Sequence, residues 1–427
     1  MKTQRALWMW CAAPLIAALG VLALAGFSSH SSHLAVSASQ CGSKPGVQAS
    51  GTPIKLGVIV TKAPGTDFTD TANMANAYFD CVNANGGVNG HPIQYEIQTE
   101  QINPTQIAGE AHKLVADGVV GIVGSISPLE CTIDHTYWEK LGYAELDAGI
   151  APECYSTPNS AAVNMGARFS SDGAVQYALA KGAKKIVFVQ GTLPIQDYIF
   201  AGVKAVAGAK HVPVVTISHQ TPDQNASSTA LQAVQDAGAN GAVVLDDTPP
   251  NALPILQAAQ KLGLVDRVKM WGCSTPCNTD YLAQALGPKW NGKLFVNSEL
   301  APPDAINSAS MQLYRAILKQ YGSSVSGGVG SLSQMGFTIG EITVHALDTI
   351  KGAYTVQSVS AALKAVKNFN TGQLCRPWTY GNYAYHVPNN VDWTVTPKNG
   401  KMVIAQGCTA VSGSDPLIAG YRKLAGG

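Results

Sequence analysis

Charged side chains are scarce in this sequence. Lys, Arg, Asp and Glu make up 13% of the 427 residues, and the formal net charge is +1. A chain with so little charge and no basic stripe has no electrostatic attraction for a phosphate backbone, so we expect no nucleic-acid partner. The low charge and the 43 glycines are typical of a secreted protein that is built from many short elements.

Motifs for catalysis are also missing. The sequence contains no G-x-S-x-G nucleophile elbow, no H-E-x-x-H motif, no P-loop and no clean G-x-G-x-x-G. It has no C-x-x-C pair, which disfavours a structural zinc site. The neighbours Asp246 and Asp247 could bind a metal or do acid–base work, but ligand contact or loop capping is the favoured interpretation. We therefore expect no enzyme, no metal and no cofactor.

A long apolar run occurs at the N-terminus. Residues 12–27 are apolar and follow two basic residues, which is about the length of a signal-peptide core and short for a membrane span. Small residues near positions 25 and 38 offer cleavage sites, and an uncleaved anchor is the alternative. We assign residues 1–38 to a signal peptide. Residues 39–52 are rich in small and polar residues and are assigned to a flexible tether.

The clearest feature of the sequence after this segment is its set of cysteines. Cys11 lies in the signal peptide, and an even number, eight, remains in the exported part, which predicts disulfides. Separation along the chain favours Cys131–Cys154, Cys273–Cys277 and Cys375–Cys408. Cys41 either pairs with Cys81 or carries a lipid anchor. Gln40 stands where a lipid-attachment site has a small residue, so the disulfide is favoured.

Strand and helix patterns alternate along the chain. IKLGVIV at residues 54–60 predicts a strand buried on both faces. A helical pattern, a strand at 92–98, a helix that starts at Asn103-Pro104 and a strand at 119–124 follow. The same order recurs at 178–190, 231–245 and 256–271. This alternation predicts right-handed βαβ units and parallel sheets.

The number of strands exceeds what one sheet of ordinary width holds. We therefore predict an α/β protein with two doubly wound parallel-sheet lobes, joined by a hinge that the chain crosses more than once. Lobe 1 comprises residues 53–168 plus 302–377. Lobe 2 comprises residues 169–301 plus 378–427.

A candidate anion site lies where the third strand ends. Ligands of open parallel sheets bind outside the carboxyl ends of the strands. Pro128 starts the next helix, whose free amide hydrogens and dipole favour a carboxylate, and the hydroxyls of Ser125 and Ser127 add donors. The alternative is that Ser127 only caps this helix.

Three stretches carry a family resemblance: IKLGVIV, then NANGGVNGHPIQYEIQTEQINPTQIAGEAHKLVADGVVGIVG, then AGIAPECY. With the pattern NxxGGxxGxP as its most specific part, the chain resembles type I periplasmic binding proteins. More narrowly, it resembles the leucine/isoleucine/valine-binding group that serves ABC importers. The resemblance covers residues 53–409 and weakens in the second lobe.

The resemblance also implies a ligand site in the cleft between the lobes. In the family, the loops after the third and fourth strands contact the ligand's carboxylate, and three segments of the second lobe face the cleft. The residues implied here are Ser125, Ser127, Pro128, Leu129, Gly149, Ile150, Gln196, Tyr198, Asp246, Asp247 and Ser274. Pro128 stands where relatives present a serine, and Ser274 where amino-acid binders place an acid. An amino acid, an amide and a carboxylated compound all stay open as ligands.

The resemblance implies an extracytoplasmic solute-binding protein that closes on a small molecule and delivers it to the membrane permease of an ABC importer. A ligand-sensing receptor module is the alternative, and a secreted enzyme is the least favoured. We expect a monomer in the periplasm or on the outer face of the cell envelope, with lipid anchoring through Cys41 left open.

Overall fold

The computed structural model of the protein describes residues 37–381, 389–411 and 413–418. Residues 1–36, most of the predicted signal peptide, lie outside this part, as do residues 382–388, 412 and 419–427 of the predicted second lobe. All described residues belong to one compact unit. None of the helices in the described ranges combines the length and apolar character that a bilayer crossing requires.

The first sheet has six strands, with β2, β1, β4, β5 and β6 in this spatial order and β3 paired to β1. Their bounds are β1 (Ile54–Ala63), β2 (Thr66–Asp67), β3 (Ile93–Glu100), β4 (Gly121–Val123), β5 (Glu145–Asp147) and β6 (Ser160–Ala162). β1 runs parallel to β3 and β4, and Leu56, Val58 and Val60 are completely buried. The buried parallel strand predicted from IKLGVIV is confirmed.

The second sheet has seven strands, in the spatial order β13, β12, β11, β10, β9, β7 and β8. Their bounds are β7 (Ile186–Gly191), β8 (Val214–His219), β9 (Ala242–Asp246), β10 (Met270–Cys273), β11 (Leu294–Ser298), β12 (Val391–Lys398) and β13 (Lys401–Ala410). β12 and β13 are antiparallel, so the sheet is mixed rather than parallel throughout. Asn399 and Gly400 both have positive φ and form the short turn that only antiparallel strands can share.

Helices cover both sheets. They are α1 (Thr69–Ala84), α2 (Pro104–Ala116), α3 (Glu130–Leu141), α4 (Gly166–Ala180), α5 (Gln196–Gly208), α6 (Ala226–Ala237), α7 (Pro249–Lys261), α8 (Asp280–Leu286), α9 (Ala309–Tyr321), α10 (Ser331–Asp348) and α11 (Val356–Ala365). The side chain of Asn103 accepts from the amides of Thr105 and Gln106, which confirms the predicted start of α2. The late helices α9 and α10 return to pack on α1 in lobe 1.

In the part of the chain that the structure describes, segments that lead from one lobe to the other meet at Glu299. The Met165 amide donates to Glu299 Oε2 at 2.6 Å, and Asn389 Nδ2 donates to the Glu299 carbonyl oxygen at 3.1 Å. Trp378 donates to the Ala162 carbonyl in the first sheet at 3.0 Å. Trp378, predicted as the first residue of segment 378–427 of lobe 2, therefore contacts the first sheet, and α4 packs on strands of the second sheet.

Residues 39–52, predicted as a flexible tether, are instead fastened to lobe 1. Cys41 lies at the end of a short 3₁₀ helix and is bonded to Cys81 of α1. The amide of Lys44 donates to the Asn85 carbonyl at 2.9 Å, and the amide of Ala49 donates to the Asn83 carbonyl at 2.8 Å. The disulfide and these hydrogen bonds hold the segment along the C-terminal end of α1.

All four predicted disulfides are present, namely Cys41–Cys81, Cys131–Cys154, Cys273–Cys277 and Cys375–Cys408. The sulfur of Cys41 is bonded to Cys81, so it is not free to carry a lipid in this structure. Cys273–Cys277 closes a loop of four residues at the end of β10. A disulfide typically stabilises a fold by roughly 2–4 kcal/mol, and longer loops gain more.

Candidate ligand-binding site

A cavity of about 80 Å³ lies between the two lobes, at the carboxyl ends of the strands. Ile126 follows β4 and Ile150 follows β5, whereas Asp246 ends β9 and Glu299 follows β11. α10 adds Leu332 and Met335 from a part of the chain far from these strands. Both sheets and a returning helix therefore build one wall around a shared space.

Most of this wall is apolar. It contains Phe68, Ile126 and Ile150 from lobe 1 and Leu193, Ile195 and Ile199 from lobe 2, together with Leu332 and Met335 of α10. Apolar surface of this kind favours a ligand with an apolar body, because burial removes that body from water at about 25 cal/mol per Å².

Three carboxyl groups interrupt the apolar wall: those of Asp246, Asp247 and Glu299. Burial raises the pKa of Asp246 to about 6, although the Ser274 hydroxyl beside it acts in the opposite direction. Burial also raises the pKa of Glu299 to about 8, against the hydrogen bond from the Met165 amide. Near neutral pH, Glu299 therefore holds a proton while Asp246 is mostly ionised.

Asp247 has a basic partner outside the cavity wall. His219 Nε2 lies 2.9 Å from Asp247 Oδ2, and both side chains are buried. Burial disfavours the charged imidazole, but the hydrogen bond and charge of Asp247 outweigh it and raise the pKa of His219 to about 9. Burial raises the pKa of Asp247, whereas His219 lowers it. We assign the shared proton to His219, because its two ring nitrogens contact two acceptors, Asp247 and the Gln220 carbonyl.

The loop at residues 125–129, where the sequence predicts an anion site, already uses several of its donors inside the protein. The amides of Gly124 and Ile126 donate to the carbonyls of Leu146 and Ile59, at 2.6 and 3.1 Å. The amides of Leu129 and Glu130 donate to Ser127 Oγ, at 3.1 and 3.2 Å. These amide hydrogens are satisfied inside the protein, and Pro128 has none to offer.

Ser127 is therefore a helix cap, as the alternative interpretation proposed. The sequence carries a signal for this, because Ser127 and Glu130 form the S-x-x-E pattern of a capping box. Ser125 is also buried away from the cavity, and its Oγ lies 3.4 Å from the Ile59 amide. Within this loop, Ile126 reaches the cavity wall, although it was not among the predicted residues.

Of the remaining predicted residues, Ile150, Asp246 and Asp247 line the cavity, and Gly149, Gln196, Tyr198 and Ser274 do not. The carbonyl of Gly149 accepts from Tyr155 Oη and Asn164 Nδ2, both at 2.9 Å, which holds the loop that carries Ile150. The ring of Tyr198 lies 4.8 Å from the Arg168 guanidinium. Gln196 starts α5, and Ser274 is buried beside Asp246.

Sequence patterns missed Glu299, Asn251 and the α10 residues Leu332 and Met335. Glu299 directly follows a buried strand, so the rule that ligands bind at strand ends could have found it. α10 reaches the cavity only because the chain returns from lobe 2 to lobe 1, and a local sequence pattern does not predict that return.

Replacing Ser127 by Ala should lower stability without changing ligand affinity. The substitution removes the acceptor for the amides of Leu129 and Glu130, which should cost about 0.5–2 kcal/mol. Urea unfolding measures the first effect, and calorimetry with any bound compound measures the second. Ser127→Thr, which preserves the hydroxyl acceptor without adding a charge, is the control and should retain most of the stability. A loss of affinity that exceeds threefold in Ser127→Ala would return this loop to the binding site.

Two clusters combine cysteine sulfur and carboxylate oxygen within 4.8 Å: Cys131, Asp147 and Cys154, and Glu130, Cys131 and Glu145. Cys131 and Cys154 are bonded to each other. Their sulfurs are consequently not thiolates, the form that binds a metal. We assign no metal to either cluster.

A family model described as "Periplasmic binding protein" matches residues 53–400. The chain belongs to the periplasmic-binding-protein family. This membership and the arrangement of the two sheets confirm the predicted family and the predicted two-lobed α/β fold. No curated protein sequence matches this periplasmic binding protein.

Many solved structures share this fold. A fatty acid ABC transporter substrate-binding protein from Thermomonospora curvata is 16% identical with a TM-score of 0.73, over 88% of this chain and 97% of that chain. A branched chain amino acid ABC transporter from Thermus thermophilus with bound valine is also 16% identical with a TM-score of 0.73, over 88% of this chain and 100% of that chain. A possible leucine/isoleucine/valine-binding protein from Rhodopirellula baltica is 17% identical with a TM-score of 0.69, over 86% and 98%. At these identities the likeness establishes the fold.

Proposed function

We propose that this periplasmic binding protein is the extracytoplasmic solute-binding component of an ABC importer. The observation that carries the proposal is the cavity whose wall is shared by both lobes beside the segments that meet at Glu299. A ligand that touches both lobes stabilises the closed arrangement over the open one, and closure about a hinge is the usual motion of such proteins. The closed form is the state that a membrane permease would recognise.

The neighbours support this role. The proteins from Thermomonospora curvata and Thermus thermophilus are described as belonging to ABC transporters for a fatty acid and for branched-chain amino acids. Their likeness spans almost all of each relative, so the whole architecture corresponds. We further propose that the protein is exported, since four disulfides form in an oxidising compartment. It acts as a monomer, without a cofactor and without catalysis.

Small-angle scattering tests the hinge, after a thermal-shift screen of amino acids, amides, carboxylic acids and amines has found a ligand. We expect a bound compound to raise the melting temperature and to reduce the radius of gyration. Ile199→Trp, which fills the cavity, should abolish both effects. Ile404→Trp adds the same ring at an exposed position and should preserve them. An unchanged radius at saturating ligand would contradict the proposal.

A further inference from the structure

A second space with the same electrostatic character lies beside the cavity. A groove of about 300 Å³ shares Thr248, Pro276 and Leu332 with the cavity and is also lined by Asp67 and Asp70. The described residues that line the two spaces include five carboxyl groups and no Lys, Arg or His. The whole chain has 28 basic and 27 acidic residues, so this excess of acid is local.

Most of these carboxyl groups already have partners in the protein. Asp67 accepts from Thr69, and Asp70 accepts from the amides of Ser326 and Gly327. Asp247 is paired with His219, and Glu299 accepts from the Met165 amide. Asp246 differs from the other two acids of the cavity wall, because its neighbours are the hydroxyls of Ser274 and Ser171 rather than a basic partner such as that of Asp247. Its pKa, raised by burial to about 6, also lies below that of Glu299, so it is the more readily ionised of the two. One negative charge in the cavity wall is therefore left without a counter-charge.

Four of the hydrogen-bond donors around the cavity are engaged elsewhere. Thr248 Oγ1 and Asn251 Nδ2 both donate to the Gly65 carbonyl, at 3.2 and 2.8 Å. Asn164 Nδ2 donates to the Gly149 carbonyl, and Thr275 Oγ1 donates to Asn297 Oδ1. A ligand made only of acceptors, such as a carboxylate, would find these donors already used.

Acceptors are left open in the same wall. Asn251 is 2% exposed, and its Oδ1 has no hydrogen-bond partner among the described residues. The contact of its Nδ2 with the Gly65 carbonyl, which can only accept, fixes the orientation of the amide. Thr221 Oγ1, also in the wall, has no partner among the described residues, and this hydroxyl can accept as well as donate. A buried acceptor without a partner is costly, and a ligand that brings N–H groups removes this cost.

We infer that the ligand is a small organic monocation, an amine with an apolar body and no carboxylate, whose ammonium group lies between Asp246 and Asn251 Oδ1. The ammonium group supplies three donors and the missing counter-charge, and the carbon chain packs on the apolar wall. This inference rests on the proposed function, since it names the ligand class of the same cavity. It departs from the carboxylate that the sequence pattern at residues 125–129 favoured.

Calorimetry at pH 7 with four compounds of similar length tests the inference: n-butylamine, n-butanol, n-butyrate and L-valine. We expect n-butylamine to bind at least tenfold more tightly than each of the other three. Asp246→Asn keeps the shape of the side chain and removes the charge, so it should weaken n-butylamine at least tenfold and leave n-butanol unchanged. Asp236→Asn makes the same change in α6, outside the cavity, and should keep the parent affinity.

Tighter binding of L-valine or n-butyrate than of n-butylamine would overturn the inference, as would equal amine affinity in Asp246→Asn and the parent. The scattering experiment separates this failure from failure of the proposed function. If valine or butyrate contracts the protein and the amine does not, the ligand class is wrong and the binding role stands. If no compound of any class contracts the protein, the binding role fails as well.

Discussion

Lowering the pH from 8 to 6 should stabilise the folded protein by at least about 3 kcal/mol, because each proton that only the folded state holds contributes about that much across two pH units. Burial raises the pKa of Asp134 and of Glu299 to about 8, and that of Asp392 to about 7. In the unfolded chain these groups ionise near pH 4. The folded state therefore binds more protons throughout this window, and its stability falls as the pH rises.

Other titrating groups do not reverse this sign. His219, whose pKa is raised to about 9 by Asp247 against its burial, also loses stabilisation as the pH rises above its unfolded value. The hydrogen bonds from Lys289 and Lys293 lower the pKa of Asp266 to about 2, so its contribution is lost only in stronger acid. The buried acids and His219 therefore control the interval from pH 6 to pH 8.

Urea unfolding at pH 6, 7 and 8 measures the effect, and Glu299→Gln identifies one source. Glutamine can still accept from the Met165 amide but cannot titrate. We expect its stability to depend less on pH, by up to about 1.4 kcal/mol per pH unit. Glu139→Gln, which makes the same change at an exposed position, is the control. Stability that increases from pH 6 to pH 8 would show that the buried acids do not hold their protons.

Gly336→Ala should destabilise the protein by about 3 kcal/mol, although alanine is the better helix former. Gly336 lies in α10, where a Cβ atom would clash with the carbonyl oxygen of Thr71 in α1. The obstacle is backbone rather than the end of a flexible side chain, so α1 and α10 would have to separate. Gly340, one turn later, is covered in the same way by the ring of Tyr78.

Gly109→Ala is the matched control for this substitution. Gly109 is an exposed position within α2, and a Cβ atom there would meet nothing within 4 Å. Alanine should therefore stabilise the protein by about 0.5–1 kcal/mol at this site. Urea unfolding measures the change in the free energy of unfolding for both variants, and the two changes should have opposite signs. If Gly336→Ala is as stable as the parent, the close approach of α1 and α10 is not required by the fold.

Much of the fold could be predicted because it depends on short-range patterns. The run of apolar β-branched residues in β1, the Asn103-Pro104 start of α2 and the alternation of strands and helices are all local, and the structure contains each of them. The antiparallel strands of the second sheet, which the prediction of a parallel sheet missed, also follow from a local sequence signal. The dipeptide Asn399-Gly400 is a strong hairpin signal, and it accounts for the antiparallel pair β12 and β13.

The sequence by itself predicted the two-lobed α/β architecture, because periodicity and caps act within a few tens of residues. It favoured the cysteine pairs by their separation along the chain, and the family followed from the resemblance of three stretches. Only the tertiary structure decided which groups meet in the cavity. Glu299 and Met335 reach it from parts of the chain that are distant in sequence from Ile126 and Ile150. A binding site depends on which donors and acceptors remain after folding has satisfied the others, and that balance exists only in the folded chain.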